Sequence, residues 1–310
     1  MQPAAYNLLR LLQARQPLSD RELTEALGMS SAETRSLLAQ LHAEGVAVEL
    51  SDFGYALNTP VDLLDAAALK DALPMPVDVI DECASTNTLL LESTDDAVRL
   101  VVCELQTDGR GRRGNRWHSG LADSLSFSLS WFLPEASNRW TGLPLAVGVA
   151  CARALRKMAF TEVALKWPND LVHPRGKLAG VLIEMKPGSS RAVIGIGLNI
   201  RNARKHASSV GYAITDLSEL RANIPDRTDI LIAMVRELVA VLKEFDVKGF
   251  AAFREEWSRH HAFANQRVRL STGAVEVEGL MRGVGEDGAL LLMTERGEER
   301  FLSGELLRAA

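Results

Sequence analysis

The spacing of apolar positions changes twice along these 310 residues, and each change marks a different kind of layer. Over residues 1–60 apolar side chains return every three or four positions, which predicts helices. Residues 6–13 form the first. Ser19-x-x-Glu22 and Ser30-x-x-Glu33 are capping boxes that open a second and a third, closed by Gly28 and Gly45. The third helix turns Leu37, Leu38 and Leu41 inward, and residues 46–50 and 55–57 follow as a hairpin joined through Ser51 to Gly54.

From Pro60 to Pro76 the chain reads as a connection carrying one short helix at 63–72. Beyond it, strand-length and helix-length patterns interleave, the mark of an α/β layer. Residues 77–80, 98–105, 123–133, 162–167, 178–185 and 193–200 predict strands; 88–93, 143–159, 215–220, 228–245 and 250–261 predict helices. The strands at 178–185 and 193–200 are nearly continuous in apolar residues, which places them centrally in the sheet. At 123–133, Leu125, Phe127, Leu129 and Trp131 alternate with serines, which predicts a strand buried on one face. From Gln266 short strands at 268–270, 275–281, 289–293 and 299–302, separated by glycine turns, predict a small β-barrel. The predicted domains are therefore 1–60, 61–264 and 265–310.

Charge alters the reading of the first domain. Helix, short turn, helix and wing is the winged helix-turn-helix plan, whose second motif helix enters the major groove. That helix offers Thr34, Arg35, Ser36 and Gln40 to DNA. Residues 1–60 nevertheless hold four arginines and no lysine against seven acids, a net charge of −3 that works against phosphate binding. A winged helix kept for protein contacts is the competing reading.

The whole chain, at net charge −5, has no global nucleic-acid field, and 47% hydrophobic residues supply a sizeable core. Cys83, Cys103 and Cys151 lie far apart in apolar stretches, as reduced, buried thiols do, and form no metal-binding pair. Arg10 and Arg15 interrupt the first apolar run, so no signal peptide is predicted, and no later run is long enough to span a bilayer. A soluble, cytoplasmic protein is expected.

Chemistry concentrates after the strand at 98–105. Gly109-Arg-Gly-Arg-Arg-Gly-Asn-Arg-Trp-His-Ser119 alternates glycines, which expose backbone N–H groups, with arginines, which suit carboxylate and phosphate oxygens. Gly109, Gly111 and Gly114 also spell a dinucleotide fingerprint. Neither the helix nor the acidic residue about 20 positions on that this fingerprint needs is present. A solvated basic loop is the remaining alternative. Four further blocks border strands: Ser85-Thr86-Asn87, which supplies N-cap residues to a helix; Lys166-Trp167-Pro168-Asn169-Asp170, which ends a strand; Lys177-Leu178-Ala179-Gly180; and Gly195-Ile196-Gly197-Leu198-Asn199. Strand glycines weaken pairing unless something must lie flat on the backbone.

In this order and spacing the five blocks resemble the signature of the bifunctional biotin protein ligases that double as biotin operon repressors. The resemblance covers essentially the whole chain. It implies an α/β (α+β) protein: an N-terminal winged helix-turn-helix, a central mixed-sheet α/β ligase domain resembling class II aminoacyl-tRNA synthetases, and a C-terminal SH3-like β-barrel. It implies an ATP-dependent biotin–[biotin carboxyl-carrier protein] ligase that works through biotinyl-5′-AMP, with Mg²⁺. A DNA-binding biotin sensor without ligase activity, or a sensor of another carboxylic acid, would keep the fold and lose the chemistry.

By the same resemblance Ser85, Thr86, Gln106 and the backbone at Gly109 and Arg110 hold the ureido end, with Asn87 and Gly111 in the biotin set and Gly180, Gly195 and Gly197 giving the ring room. Arg112 and Lys177 meet the carboxylate and the α-phosphate, and Asp170 orients or deprotonates the acceptor lysine. Arg113, Trp117, Asn169, Asn199, Tyr212 and Arg308 join Arg112 and Lys177 at the nucleotide, under a covering loop at 201–213. Tyr212 stands where the family has a tryptophan against adenine. No residue is assigned to a metal. Operator DNA, a biotin carboxyl carrier protein and a second copy, joined by edge strands on ligand binding, are the implied partners. Asp108 and His118 depart from the pattern beside the loop, and the acidic winged helix departs most.

Overall fold

The first helices start where their caps put them. The structure, a computed structural model, describes residues 1–308 apart from Arg15, Gln16, Asp96, 134–139, Pro187, Gly188 and Ala274. Helices α1 (Pro3–Ala14), α2 (Asp20–Leu27) and α3 (Ser31–Ala43) precede a hairpin of β1 (Val48–Ser51) and β2 (Gly54–Leu57). Both capping boxes close: Ser19 and Ser30 accept from the N–H groups of Glu22 and Glu33, whose carboxylates accept in return from the cap N–H groups at 2.9 and 2.8 Å. Leu8, Leu9, Leu12, Leu23, Leu37 and Leu41 bury against one another between the helices.

One expectation for α3 is corrected. Thr34 faces this core and is fully buried, so it cannot reach a groove; the period that turns Leu37 and Leu41 inward carries Thr34 with them. Gln40 is engaged by the chain start, its Oε1 accepting from the Gln2 N–H at 2.9 Å. Arg35 and Ser36 remain exposed.

After α4 (Ala66–Ala72) the central layer is built from β3 (Val77–Cys83), α5 (Thr86–Glu92), β4 (Leu100–Gln106), the two-residue strands β5 (Gly109–Arg110) and β6 (Arg116–Trp117), and β7 (Ser124–Phe132). Then come α6 (Leu143–Lys157), β8 (Ala164–Lys166), β9 (Asp170–His173), β10 (Gly176–Met185), β11 (Arg191–Asn199), α7 (Ala207–Val210), α8 (Leu217–Leu220), α9 (Arg227–Lys248) and α10 (Arg254–His260). Seven strands form one sheet in the order β3-β4-β7-β11-β10-β9-β8, with β11 in the middle and β10 beside it. Only β3 and β4 run parallel; every other neighbour pair is antiparallel, so the sheet is mixed. Strand β9 was not foreseen: the Lys166–Asp170 block is a tight turn with a cis Trp167–Pro168 peptide, and β9 pairs back on β8.

The serine-bearing strand departs from its reading. On β7 the apolar residues face α6 and α9 in the main core, yet Ser124, Ser126, Ser128 and Ser130 are buried as well. Alternation usually marks a wetted face. Here the second face lies under α5, and hydrogen bonds replace water: Ser130 Oγ accepts from the Arg99 N–H at 2.9 Å and Ser128 is engaged by Thr86 and Asn87.

A buried ion pair ties the connection to the sheet. Arg227, at the start of α9, pairs with Glu104 of β4, and neither side chain has any exposure. The guanidinium also donates to the carbonyls of Asp62 at 2.8 Å and Ser124 at 2.9 Å, while Glu104 accepts from the Leu64 N–H at 2.7 Å.

The last segment is a five-stranded antiparallel sheet, β12 (Arg267–Ser271), β13 (Glu276–Val284), β14 (Leu290–Thr294), β15 (Gly297–Phe301) and β16 (Glu305–Arg308), in the order β15-β14-β13-β12-β16. Strand β16, unforeseen, carries Arg308. The sheet shares one continuous core with the central layer, and Trp167 Nε1 donates to the Gly288 carbonyl at 3.1 Å. Among the described residues no helix is long and apolar enough to cross a membrane.

Candidate active site

Register alone lays down the floor of the site. In antiparallel pairing, opposed residues point to the same face. Ser126 opposes Gly197, Gly197 opposes Gly180, and Gly180 opposes Asp170, so one row across β7, β11, β10 and β9 has almost no side-chain bulk. The next row holds Ser128 and Gly195. Above these rows lies a cavity of about 500 Å³, walled by α5, the glycine–arginine loop, the Lys166–Asp170 turn, Tyr212 and β16.

One end of the cavity is a neutral polar cradle. Ser85 caps α5 without using its side chain, so Thr86 and Asn87 are first-turn residues of the helix rather than its caps, and their side chains serve the cavity. The Thr86 N–H donates to Gln106 Oε1 at 2.9 Å, and Thr86 Oγ1 lies 2.7 Å from Ser128 Oγ. Ser128 donates to Asn87 Oδ1 at 2.5 Å, and Asn87 Nδ2 donates to Glu184 Oε2 at 2.8 Å. Arg110 Nη2 reaches the same carboxylate oxygen at 2.7 Å. Ser128 and Glu184 were not singled out in the sequence. The serines of β7 carried the signal, but their burial became visible only once α5 was seen to cover them.

The other end is cationic. The Lys177 side chain folds across Gly180, where a Cβ would lie 3.2 Å from Lys177 Nζ, and its ammonium is 2.8 Å from Asp170 Oδ1. It also sits over the Tyr212 ring, 5.6 Å from the centroid. Burial pushes this ammonium toward neutrality, but Asp170 and Tyr212 outweigh it and hold the pKa above the ordinary lysine value. Arg112 donates to Asn169 Oδ1 at 3.2 Å, and Asn169 Nδ2 to the Val181 carbonyl at 2.7 Å. Burial, then the like charge of Arg113, pulls the Arg112 guanidinium below its usual range. Arg308 reaches the cavity from β16, its guanidinium over the Phe263 ring.

The remaining expected residues divide by position. Arg110, Gly111 and Arg113 line the cavity, whereas Gly109 lies behind it, paired with Trp117 across β5 and β6. The Trp117 indole lies on Gly197, where a Cβ would meet Cζ2 at 2.7 Å. That sets it among the strand glycines rather than at the nucleotide end. Its Nε1 is buried without a partner among the described residues, a donor free for a ligand. Asn199 is corrected: it is buried outside the cavity lining and donates to the Thr215 carbonyl at 3.0 Å, which anchors the returning end of the 201–213 segment. That segment then places Tyr212, because Lys177 N–H donates to the Ala213 carbonyl at 2.8 Å.

Gly195 cannot carry a side chain here. A methyl group on it would overlap the Asn87 amide, with Cγ at 2.9 Å, and Asn87 is pinned by Ser128 and Glu184. Gly195→Ala should therefore weaken binding at the cradle at least about ten-fold and cost about 1–3 kcal/mol of stability. Biotin titration calorimetry and denaturant melts check both; wild-type affinity would mean Asn87 yields.

No group of three or more His, Cys, Asp or Glu side chains able to hold a metal exists among the described residues. The half-buried carboxylate of the cavity, Asp170, is committed to Lys177. Among the described residues a Mg²⁺ ion therefore has no such cage, and the chemistry of the donor set suits an ion carried on a polyphosphate.

Comparison with known proteins agrees with this geometry. The Biotin/lipoate A/B protein ligase family matches residues 79–200, and the biotin protein ligase C terminal domain matches residues 263–306. The chain is similar to the bifunctional ligase/repressor BirA of Escherichia coli K12, 35% identical over 300 residues that cover 94% of this chain and 93% of that protein. The chain belongs to the biotin protein ligase family. Biotin protein ligases are ATP-dependent enzymes, and the cavity just described is this ligase's candidate active site. A second relative, the biotin–[acetyl-CoA-carboxylase] ligase of Mycobacterium tuberculosis, is 29% identical over 244 residues, covering 74% of this chain and 90% of that one. Among solved structures, the biotin protein ligase of Aquifex aeolicus in complex with biotin and ATP superposes with a TM-score of 0.69 at 30% identity, over 76% of this chain and 99% of that one.

Proposed function

We propose that this ligase joins biotin to ATP, giving biotinyl-5′-AMP and pyrophosphate, and then transfers the biotinyl group to a lysine of a biotin carboxyl carrier protein. One observation carries the reading: a neutral hydrogen-bonding cradle and a paired ammonium close the two ends of one cavity over a glycine floor. Biotin has the matching polarity, a neutral ureido head, a flat apolar ring and a carboxylate tail.

With the tail at Lys177 and Arg112, a carboxylate oxygen attacks the α-phosphorus of ATP in line. The new C–O–P link forms as the P–O–P bond to pyrophosphate breaks. Negative charge gathers on the phosphoryl oxygens, and fixed cations in a dry site stabilise it best. A Mg²⁺ ion arriving with the triphosphate would neutralise further charge. In the second step the acceptor amine attacks the acyl carbon, AMP departs and the amine loses a proton. Asp170 stands beside the acyl carbon in this arrangement and orients the amine. No nucleophile from the protein is needed.

The test is biotin-dependent pyrophosphate release from ATP, followed by transfer of labelled biotin to a carrier domain. Both are expected. Biotin binding without pyrophosphate release would leave a sensor without ligase activity.

A second role rests on the first 60 residues. Three helices and a hairpin stand in the order of a winged helix-turn-helix, with Arg35 and Ser36 exposed on α3. Relatives from Escherichia coli and Bacillus subtilis are named ligase/repressor. On this reading the adenylate-loaded protein binds operator DNA as a dimer. The uncovered length of β10 supplies the edge: past Val181, whose N–H donates to the Asn169 carbonyl, β11 is its one sheet neighbour among the described residues. Operator titration at fixed salt should show affinity about 10³-fold above random DNA. Arg35→Ala should weaken it about ten-fold. Equal affinity for both DNAs would end this reading and leave the ligase intact.

A further inference from the structure

Glu184 has no place in the chemistry above, yet it stands where the glycine–arginine loop meets the cradle. A single oxygen, Oε2, accepts from Arg110 on one side and from Asn87 on the other. A carboxylate at this position accepts and never donates. Asn87 must therefore present its NH₂ to Glu184 and its carbonyl to Ser128. Ser128 spends its one proton on Asn87, so its oxygen can only accept from the Thr86 hydroxyl, which has Gln106 Oε1 at 3.2 Å as a second acceptor. Gln106 Oε1 is held by the Thr86 N–H, which leaves the Gln106 NH₂ as a donor. The senses of the Asn87 and Ser128 hydrogen bonds are thus set from the Glu184 end, with the Leu182 carbonyl as a second, longer acceptor for Asn87 Nδ2 at 3.4 Å.

We propose that Glu184 is a positioning residue for biotin: it fixes the donor and acceptor pattern that the ureido head meets, and it holds Arg110, and so the loop, against the sheet. This rests on the cradle being the biotin site. A ureido group has both donors and an acceptor in fixed places, so a cradle whose amides could turn over would present the wrong pattern part of the time. The charge at Glu184 removes that freedom.

The discriminating variant is Glu184→Gln, which keeps size and can still accept from Arg110. It can also donate, so Asn87 loses its charged acceptor and keeps only the long contact to the Leu182 carbonyl against a flip that would carry Ser128 with it. Expected is a rise of about ten-fold in the KM for biotin and in its calorimetric Kd. The KM for ATP and the kcat at saturating biotin should stay within two-fold of wild type, with the melting temperature unchanged. Ser128→Ala should raise the biotin KM in the wild type and add little in the Glu184→Gln background, because both act through Asn87. Wild-type biotin affinity in Glu184→Gln, or fully additive effects of the two substitutions, would overturn the proposal. A wild-type protein that fails to bind biotin would instead overturn the assignment of the cavity, so the two failures are distinguishable.

Discussion

Lys177→Ala should lower biotin-dependent pyrophosphate release by about 10²–10³-fold, the loss that follows removal of one preorganised donor from a site of developing charge. The ammonium is partly buried, paired with Asp170 and set over Tyr212, and Arg112, held by Asn169, would remain as the other cation at this end without making these contacts. The variant also leaves Asp170 with an uncompensated charge beside the incoming carboxylate, which adds to the loss. Arginine should not rescue. A planar fork cannot fold across Gly180 to the single point that Lys177 Nζ occupies, and Lys177→Arg should retain only a small part of the rate. Because the Lys177 pKa lies above the ordinary value of about 10.4, this lysine stays charged through neutral pH and beyond. The adenylation rate should therefore show no loss from its deprotonation between pH 7 and about 10. Pyrophosphate release by Lys177→Ala equal to wild type would refute the assignment of the cationic end.

The largest effect on stability is expected at the opposite side of the sheet. Arg227→Ala should destabilise the fold by about 3–5 kcal/mol, since it leaves Glu104 charged, buried and unpaired. Buried ion pairs are often replaced by apolar residues without loss, but this one is more than a pair. Arg227 also serves the carbonyls of Asp62 and Ser124, and Glu104 serves the Leu64 N–H. A double Arg227→Met/Glu104→Leu variant would orphan all three backbone groups, and it too should be less stable than wild type. Urea unfolding with an unchanged m-value measures both. A change under about 0.5 kcal/mol in Arg227→Ala would show that water reaches the pair.

The glycine–arginine loop, the strand glycines and Lys177 were legible because their chemistry is local: glycine beside arginine, or lysine at the mouth of an apolar strand, has few other uses. The caps Ser19 and Ser30 were legible for the same reason, since a capping box is complete within four residues. Thr34 was misread because helical period sets which face turns inward, and a threonine sits on either face without changing the pattern. Asn199 shares the face of a glycine pair that does line the cavity, but it is the last residue of its strand, beyond the cavity's end, and its amide is spent on the Thr215 carbonyl. Ser128 and Glu184 had no local signature. Each acquires meaning from a partner 41 or 97 positions away, and no periodicity reports a contact of that kind.

The glycine row exists only in one alignment of four strands. Were β11 to slide by a single residue against β7, Ile194 and Ile196 would stand where Gly195 and Gly197 now lie, and the binding chamber would be filled. Ligand occupancy is therefore a direct reporter of correct strand assembly. Biotin should raise the resistance of the whole sheet to unfolding in proportion to the logarithm of its concentration. It follows that length changes in this fold are tolerable in the outer connections and intolerable within these strands, where one inserted residue would erase the chamber and leave the hydrogen-bonded ladder standing.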